Sequence, residues 1–346
     1  MENETIRWED ATAEVSLLDQ TDLPARVRRI RCRTVKRLAE AIRRLEIRGA
    51  PALGVAGAYG VALAAARSPE RDLARFLDDV TESAEILRST RPTAVNLSWG
   101  VDRVLAKVRA AGSTGKARKA ALEEAKAVAA EDAFTCRRIG DLGATLLPQR
   151  CTVLTHCNAG SLATSDWGTA LGVIRSAVAR GKAVRVIACE TRPLLQGSRL
   201  TAWELARDGI PVTVIVDSAA ASLMQAGEVD CVIVGADRIT RDAVFNKVGT
   251  YMHAVCARHH EIPFYVAAPR STLDPESTAA GVVVEERARS EVASCGRRQV
   301  VPDAAGVRNP AFDVTPLTLV STVITEDGIH RPPYDMLAET KRRKRR

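Results

Sequence analysis

Thr152-Val153-Leu154-Thr155-His156-Cys157-Asn158-Ala159-Gly160 is a short apolar run that breaks off into a polar cluster, and four more segments of the same kind follow it. Val184 to Ala188 leads into Glu190-Thr191-Arg192-Pro193, and Val212 to Val216 into Asp217-Ser218. Cys231 to Val234 leads into Gly235-Ala236-Asp237-Arg238, and Phe264 to Ala267 into Pro269-Arg270-Ser271. Four to six apolar, mostly β-branched residues separated by helix-length segments predict buried parallel strands joined by crossover helices. Sheets of that kind bind ligands beyond the carboxyl ends of their strands. The polar clusters therefore point to a small-molecule site, with Cys157 and Asp237 as its most reactive groups.

On either side of these runs the pattern is helical. Gly168 to Arg180 and Ser198 to Arg207 read as crossover helices, with Gly181 and Gly209 placed to end them in the left-handed conformation. Before residue 150, the segments Val35 to Leu45, Ala52 to Ala66, Arg71 to Leu87, Val95 to Ala111 and Ala117 to Leu147 are rich in the helix formers Ala, Leu, Arg and Glu. The fold class is therefore α/β. A mainly helical N-terminal domain is expected over residues 1–148 and a Rossmann-like catalytic domain over 149–340, followed by a basic disordered tail over 341–346. No apolar run approaches the ~20 residues that span a bilayer. Met1-Glu-Asn-Glu also lacks the basic start of a secretory signal. A soluble, cytoplasmic protein without a membrane partner is expected.

Charge and cysteine usage narrow the function classes. The net charge is +8, but the last six residues, Lys341 to Arg346, are all basic, so the body is close to neutral. A second basic stretch, Arg26 to Arg48, holds ten Lys or Arg against Glu40 and Glu46. Neither run is interleaved with the aromatic residues of a single-strand stacking surface, so both read as solvated charge and no specific nucleic-acid partner is expected. The eight cysteines contain no C-x-x-C pair, and the Gly-x-Gly-x-x-Gly dinucleotide fingerprint is absent. Neither a metal nor an organic cofactor is expected.

Read locally, each site motif has two meanings. Cys157 stands between a strand end and an expected helix start, where free backbone N–H groups and the helix dipole lower a thiol pKa; alternatively it is a buried cysteine in a tight turn. Asp237 emerges straight from an apolar strand as an acid, or else it caps a helix. His156 points to the opposite face from its neighbour and reads as structural. Arg48-Gly49-Ala50-Pro51 and Arg91-Pro92-Thr93 each set an arginine and a proline just before a helix. There an oxyanion meets amides and a guanidinium together, unless the arginine pairs with a neighbouring acid. Asn246-Lys247 is a third cationic candidate.

Taken in order, the stretches Asp19 to Pro24, Ile47 to Gly54, Arg91 to Leu97, Leu154 to Thr164, Glu190 to Leu205, Val234 to Ile239, Phe245 to Tyr251, Ile262 to Pro269 and Asn309 to Pro316 resemble the methylthioribose-1-phosphate isomerases. That family is related to the alpha, beta and delta subunits of translation initiation factor 2B and to ribose-1,5-bisphosphate isomerase. The resemblance implies a homodimer acting on a sugar 1-phosphate in methionine salvage. It also implies Cys157 and Asp237 as catalytic residues, with substrate contacts at Arg48, Gly49, Ala50, Arg91, Gln196, Asn246 and Lys247. Thr240-Arg241-Asp242-Ala243-Val244 departs from the Asn-Gly-Asp turn of many bacterial members and is similar to the archaeal type.

The implied reaction suits these residues. A sugar phosphorylated at its anomeric carbon opens only if the ring C–O bond breaks with the phosphate in place, and an acid must protonate the ring oxygen. Asp237 fills that role if it is neutral near pH 7, which asks for a rise of ~2 to 3 units from about 3.9. Cys157, as thiolate, then moves a proton between C2 and C1. Two further readings stay open: isomerisation of a ribose 1,5-bisphosphate or 5-deoxyribose 1-phosphate, and a non-catalytic translation-factor-like regulatory subunit.

Overall fold

A computed structural model of the chain describes residues 4–91, 94–296, 298–334 and 336–337. The basic tail, Lys341 to Arg346, lies outside the described residues. The chain forms two compact units. The first comprises residues up to Arg138 together with Ala159–Gly172; the second comprises Ile139–Asn158 and everything after Gly172.

The first unit opens with an antiparallel sheet of β1 (Ile6–Glu9), β2 (Glu14–Leu18) and β3 (Arg29–Cys32), which the helical reading of this half does not anticipate. Among the described residues five helices follow: α1 (Val35–Arg43), α2 (Ala50–Arg67), α3 (Leu73–Arg88), α4 (Val95–Arg109) and α5 (Thr114–Gly143), the last crossing the division at Arg138. Thr34 and Asp72 cap α1 and α3 through side-chain bonds to Arg37 and Arg75. The centre of the unit is α2, whose eighteen residues are long and apolar enough to cross a membrane, contrary to the expectation from run length. It is instead the core helix: Ala52 through Ala65 are all buried. A helix that is apolar all round belongs inside a core, and each fully buried Val or Leu there contributes roughly 1.5–3 kcal/mol. Small residues bring α2 and α4 together, with Gly54 against Asn96 and Gly100. Much of the basic stretch is paired: Arg28 meets Asp19 at 2.6 Å, Arg33 meets Glu14 at 2.7 Å and Arg37 meets Glu46 at 2.6 Å.

The second unit holds a seven-stranded sheet. Its strands are β4 (Arg150–Thr155), β5 (Ala183–Cys189), β6 (Val212–Ile215), β7 (Cys231–Val234), β10 (Phe264–Ala267), β14 (Thr322–Thr325) and β15 (Gly328–His330). A hairpin of β8 (Arg238–Ile239) and β9 (Ala243–Lys247) adds to β13 (Phe312–Pro316), and β11 (Ser294–Cys295) pairs with β12 (Arg298–Gln299). The connecting helices are α6 (Ala170–Ala179), α7 (Ala202–Arg207), α8 (Ala220–Gln225), α9 (Thr250–His259) and α10 (Arg289–Ala293). Gly181 and Gly209 adopt φ of 79° and 69° after α6 and α7, as the sequence requires.

The large sheet has the order β15-β14-β10-β7-β4-β5-β6, parallel throughout except for β15. Counted from β4, the six parallel strands run 3-2-1-4-5-6, the doubly wound order. The winding reverses between β4 and β7, paired through Val153 with Cys231 and Leu154 with Val232. Cys157 and Asp237 follow those two strands.

Candidate active site

Cys157 leaves β4 half-buried and in the left-handed region, with φ 63°. Its N–H donates to Thr191 Oγ1 at 2.8 Å, and its carbonyl accepts from Thr201 Oγ1 at 2.6 Å. No helix starts behind it: Ser161–Ala163 is a single 3-10 turn that belongs to the first unit, and α6 begins only at Ala170. The expected free amide and helix dipole are therefore not what conditions this thiol. A buried lysine interacts electrostatically with it instead. Lys247, on the fully buried strand β9, is 5% exposed, and Nζ reaches Ala311 O at 3.4 Å. Burial pulls its ammonium below the usual lysine range, while the negative charges of Cys157, Glu291 and Asp237 act in the opposite direction.

Asp237 does not cap a helix. Its N–H donates to Phe245 O at 2.8 Å, and a hairpin follows, with Arg238 opposite Phe245. Thr240 closes that hairpin through its N–H to Ala243 O at 2.8 Å and its hydroxyl to Asp242 Oδ1 at 2.9 Å. Neither Arg241 nor Asp242 has a positive φ, so the shortened turn needs no glycine. The hairpin sets Asn246 and Lys247 one and two residues beyond the carbonyl that holds Asp237. Asn246 is buried, and its Nδ2 donates to Thr250 Oγ1 at 3.0 Å. Asp313, from the Asn309 to Pro316 motif, accepts the N–H groups of Gly249 and Tyr251 at the start of α9.

Gln196 precedes a π-helical turn, Gly197–Thr201, and its buried Oε1 has no partner among the described residues. Gly197 is required there: a Cβ would lie 1.7 Å from Cys189 O, so the turn lies directly on the end of β5. Thus the second unit gathers Cys157, Asp237, Gln196, Asn246 and Lys247 around the carboxyl ends of β4, β5 and β7.

The other sequence-derived candidates lie in the first unit. Arg48 Nε donates to Gln20 Oε1 at 3.3 Å, Gly49 adopts φ 97° as the residue before α2, and Ala50 opens that helix. Arg91 is half-buried, and its carbonyl accepts from Ala94, the residue before α4. Pro92 and Thr93 lie outside the described residues. Since Gly54 meets Asn96, the first turns of α2 and α4 adjoin, and both arginines stand at that end.

His156 forms a buried pair with His253. Its Nε2–H donates to Val248 O at 2.8 Å, which leaves Nδ1 to accept from His253 Nε2 at 3.1 Å. Burial lowers the pKa of His156 to about 4 and that of His253 to about 3, so both rings are neutral. With Cys189 they bring three possible metal ligands within 4.8 Å of one another, a grouping that residue spacing along the chain could not reveal. Three of the four ring nitrogens are engaged or facing one another, and burial pushes the Cys189 thiol far above its ordinary range. The group therefore behaves as a hydrogen-bonded core pair beside a protonated thiol.

A model of the initiation factor 2 subunit family matches residues 46–332. The chain belongs to that family. Among its members, the methylthioribose-1-phosphate isomerase of Anaeromyxobacter dehalogenans is 51% identical over 333 residues, covering 95% of this chain and 94% of that one. A methylthioribose-1-phosphate isomerase of Chloroflexus aurantiacus is 50% identical and covers 96% and 97%. The crystal structure of the 5-methylthioribose 1-phosphate isomerase of Pyrococcus horikoshii superposes with a TM-score of 0.91 at 41% identity, covering 97% and 95%. A structure described as the delta subunit of translation initiation factor eIF-2B from Archaeoglobus fulgidus gives a TM-score of 0.87 at 55% identity, covering 96% and 97%.

Proposed function

We propose that this protein is an aldose-ketose isomerase that converts 5-methylthioribose 1-phosphate to 5-methylthioribulose 1-phosphate in methionine salvage. The observation that carries the reading is the pair Cys157 and Asp237, at the ends of the two strands that flank the topological switch point. The names of the relatives supply the substrate. Asp237 protonates the ring oxygen as the C–O bond breaks. Cys157 removes the C2 proton and returns it to C1, with the Lys247 ammonium balancing its negative charge, and the Asp237 carboxylate takes the C2 hydroxyl proton as the C2 carbonyl forms, which restores the acid. Gln196 Oε1 and Asn246 are assigned to the sugar hydroxyls. No step requires a cofactor. The enzyme is proposed to act in the cytoplasm as a homodimer.

The second reading, a regulatory subunit of a translation factor, is favoured by the description of the Archaeoglobus structure. A binding module has no use for a half-buried thiol and a carboxyl held at the switch point, so we place it second. The deciding experiment assays the pure protein with sugar 1-phosphates that differ only at C5, bearing methylthio, methyl, hydroxyl or phosphate. Turnover fastest with the methylthio compound is expected, with Cys157→Ala and Asp237→Asn each lowering kcat at least ~10³-fold. Fastest turnover of the 1,5-bisphosphate reassigns the substrate. No turnover of any of them, or near-normal turnover by either variant, overturns the proposal.

A further inference from the structure

We infer that Thr191 and Thr201 are positioning residues for the isomerisation, locking the backbone of Cys157 on both sides of its Cα, with Asp217 as the brace behind Thr191. The inference rests on the assignment of Cys157 to proton transfer. A cysteine at φ 63° is in a region that side chains rarely adopt, and such a conformation persists where the surroundings over-determine it. Here the determinants come from 34 and 44 residues away in the chain.

The peptide before Cys157 is held by Thr191. That hydroxyl accepts the Cys157 N–H at 2.8 Å and donates to Cys189 O at 3.0 Å, so its proton has one defined place. Thr191 is itself left-handed, at φ 66°. The Asp217 carboxylate holds it there, with Oδ1 2.7 Å from the Thr191 N–H and Oδ2 2.7 Å from the Arg192 N–H. The peptide after Cys157 is held by Thr201, which donates to Cys157 O at 2.6 Å and accepts from Asn158 Nδ2 at 3.2 Å. Both backbone torsions of Cys157 are thus fixed by side chains from just beyond β5 and β6 and from the π turn, and the direction of Cβ–Sγ follows from them. Proton transfer between adjacent carbons tolerates little displacement of the base, and a misplacement of about 1 Å costs up to ~10²-fold.

Thr191→Val and Thr201→Val keep the shape and remove the hydroxyl. Each is expected to lower kcat about 30- to 100-fold while KM for the 1-phosphate changes less than about threefold. Peptide-resolved alkylation by iodoacetamide should show Cys157 reacting at least about fivefold slower or with a displaced pH midpoint. Thr191→Ser and Thr201→Ser should restore kcat to within about threefold. Thr272→Val removes a buried hydroxyl that has no partner among the described residues, and it should change none of these readouts. The inference is overturned if both valine variants keep kcat within twofold and alkylate as the parent does, or if serine fails to restore a lost rate. Should a valine variant not fold, Asp217→Asn is read in its place, and an unchanged kcat there is equally adverse. Cys157→Ala separates the two levels: if it is active, the catalytic assignment fails, whereas an inactive Cys157→Ala beside fully active threonine variants removes the clamp alone.

Discussion

Arg175 Nη2 lies 2.8 Å from Glu204 Oε2, with both side chains buried, and the other Glu204 oxygen accepts Asn158 Nδ2 at 2.8 Å. One carboxylate thus joins a buried guanidinium to the residue that follows Cys157. Asp208 gives Arg175 a second partner, its Oδ2 2.6 Å from Nη2. Removing one member of a buried pair typically costs 3–5 kcal/mol, because the remaining charge stays buried. Glu204→Ala should lose about 3 kcal/mol in urea unfolding, at the low end because Asp208 remains, and should depress kcat as well. The double variant Arg175→Met with Glu204→Met should recover most of the stability but not the activity.

The histidine pair makes stability sensitive to acid. In the folded state His156 and His253 bind protons only near pH 4 and pH 3, whereas in the unfolded chain they titrate near 6.5. The unfolded state therefore holds more protons between those values, and stability falls as pH drops from about 6.5. Lowering pH from 7 to 5 should cost about 2 kcal/mol per histidine. Thermal scans of His253→Leu against the parent at both pH values would test this: the variant should lose about half of the acid sensitivity. Equal sensitivity in the two would mean that other groups carry it.

Chelation should leave activity unchanged, since three of the four ring nitrogens of His156 and His253 serve hydrogen bonds and the Cys189 thiol is held protonated by burial. Loss of activity after exhaustive chelation, restored by one divalent ion and abolished in His253→Leu, would instead make His156, Cys189 and His253 a ligand set.

Gly197→Ala puts a methyl group 1.7 Å from the Cys189 carbonyl, so the π turn must shift. Overpacking against backbone costs at least 1–3 kcal/mol, and the shift would carry Gln196 and Thr201 with it. We expect a lower unfolding midpoint together with a loss of kcat of about tenfold or more. A change in stability alone would mean that the turn's position is not coupled to the site.

Arg48→Ala and Arg91→Ala should each raise KM for the 1-phosphate, because a guanidinium beside a helix start holds phosphate oxygens. Unchanged binding of substrate and of inorganic phosphate by both variants would make these arginines structural.

Five of the seven strands were legible, because those inside the sheet are buried on both faces and read as apolar runs: Cys231–Val234 and Phe264–Ala267 match to the residue, whereas the short β14 and its hairpin partner β15 were not read. The edge strand β6 is half exposed and was still found, because every residue from Val212 to Ile215 is β-branched. The sheet formed by β1, β2 and β3 escaped notice because its strands are four or five residues long and Arg29–Cys32 carries two arginines, which reads as helix or loop. Cys157 and Asp237 were legible as a thiol and a carboxyl standing just past strand ends. Thr191, Thr201 and Asp217 stood among the quoted motifs, but their role depends on contacts that only the folded sheet creates. The charge beside the thiol was misjudged for the same reason: a helix start seemed to follow at once, whereas the chain makes one 3-10 turn and the cation comes from Lys247.

The apolar helix α2 also has a consequence for biosynthesis. It leaves the ribosome as an eighteen-residue stretch with no acidic residue, and the α4 segment that covers Gly54 ends about forty residues later. At 5–20 residues per second this gap lasts roughly two to eight seconds, during which the nascent chain displays a segment indistinguishable by composition from a membrane span. Ribosome-stalled chains ending just after Arg67 should therefore be strongly held by chaperones or targeting factors, and those ending well past Arg109 released from them.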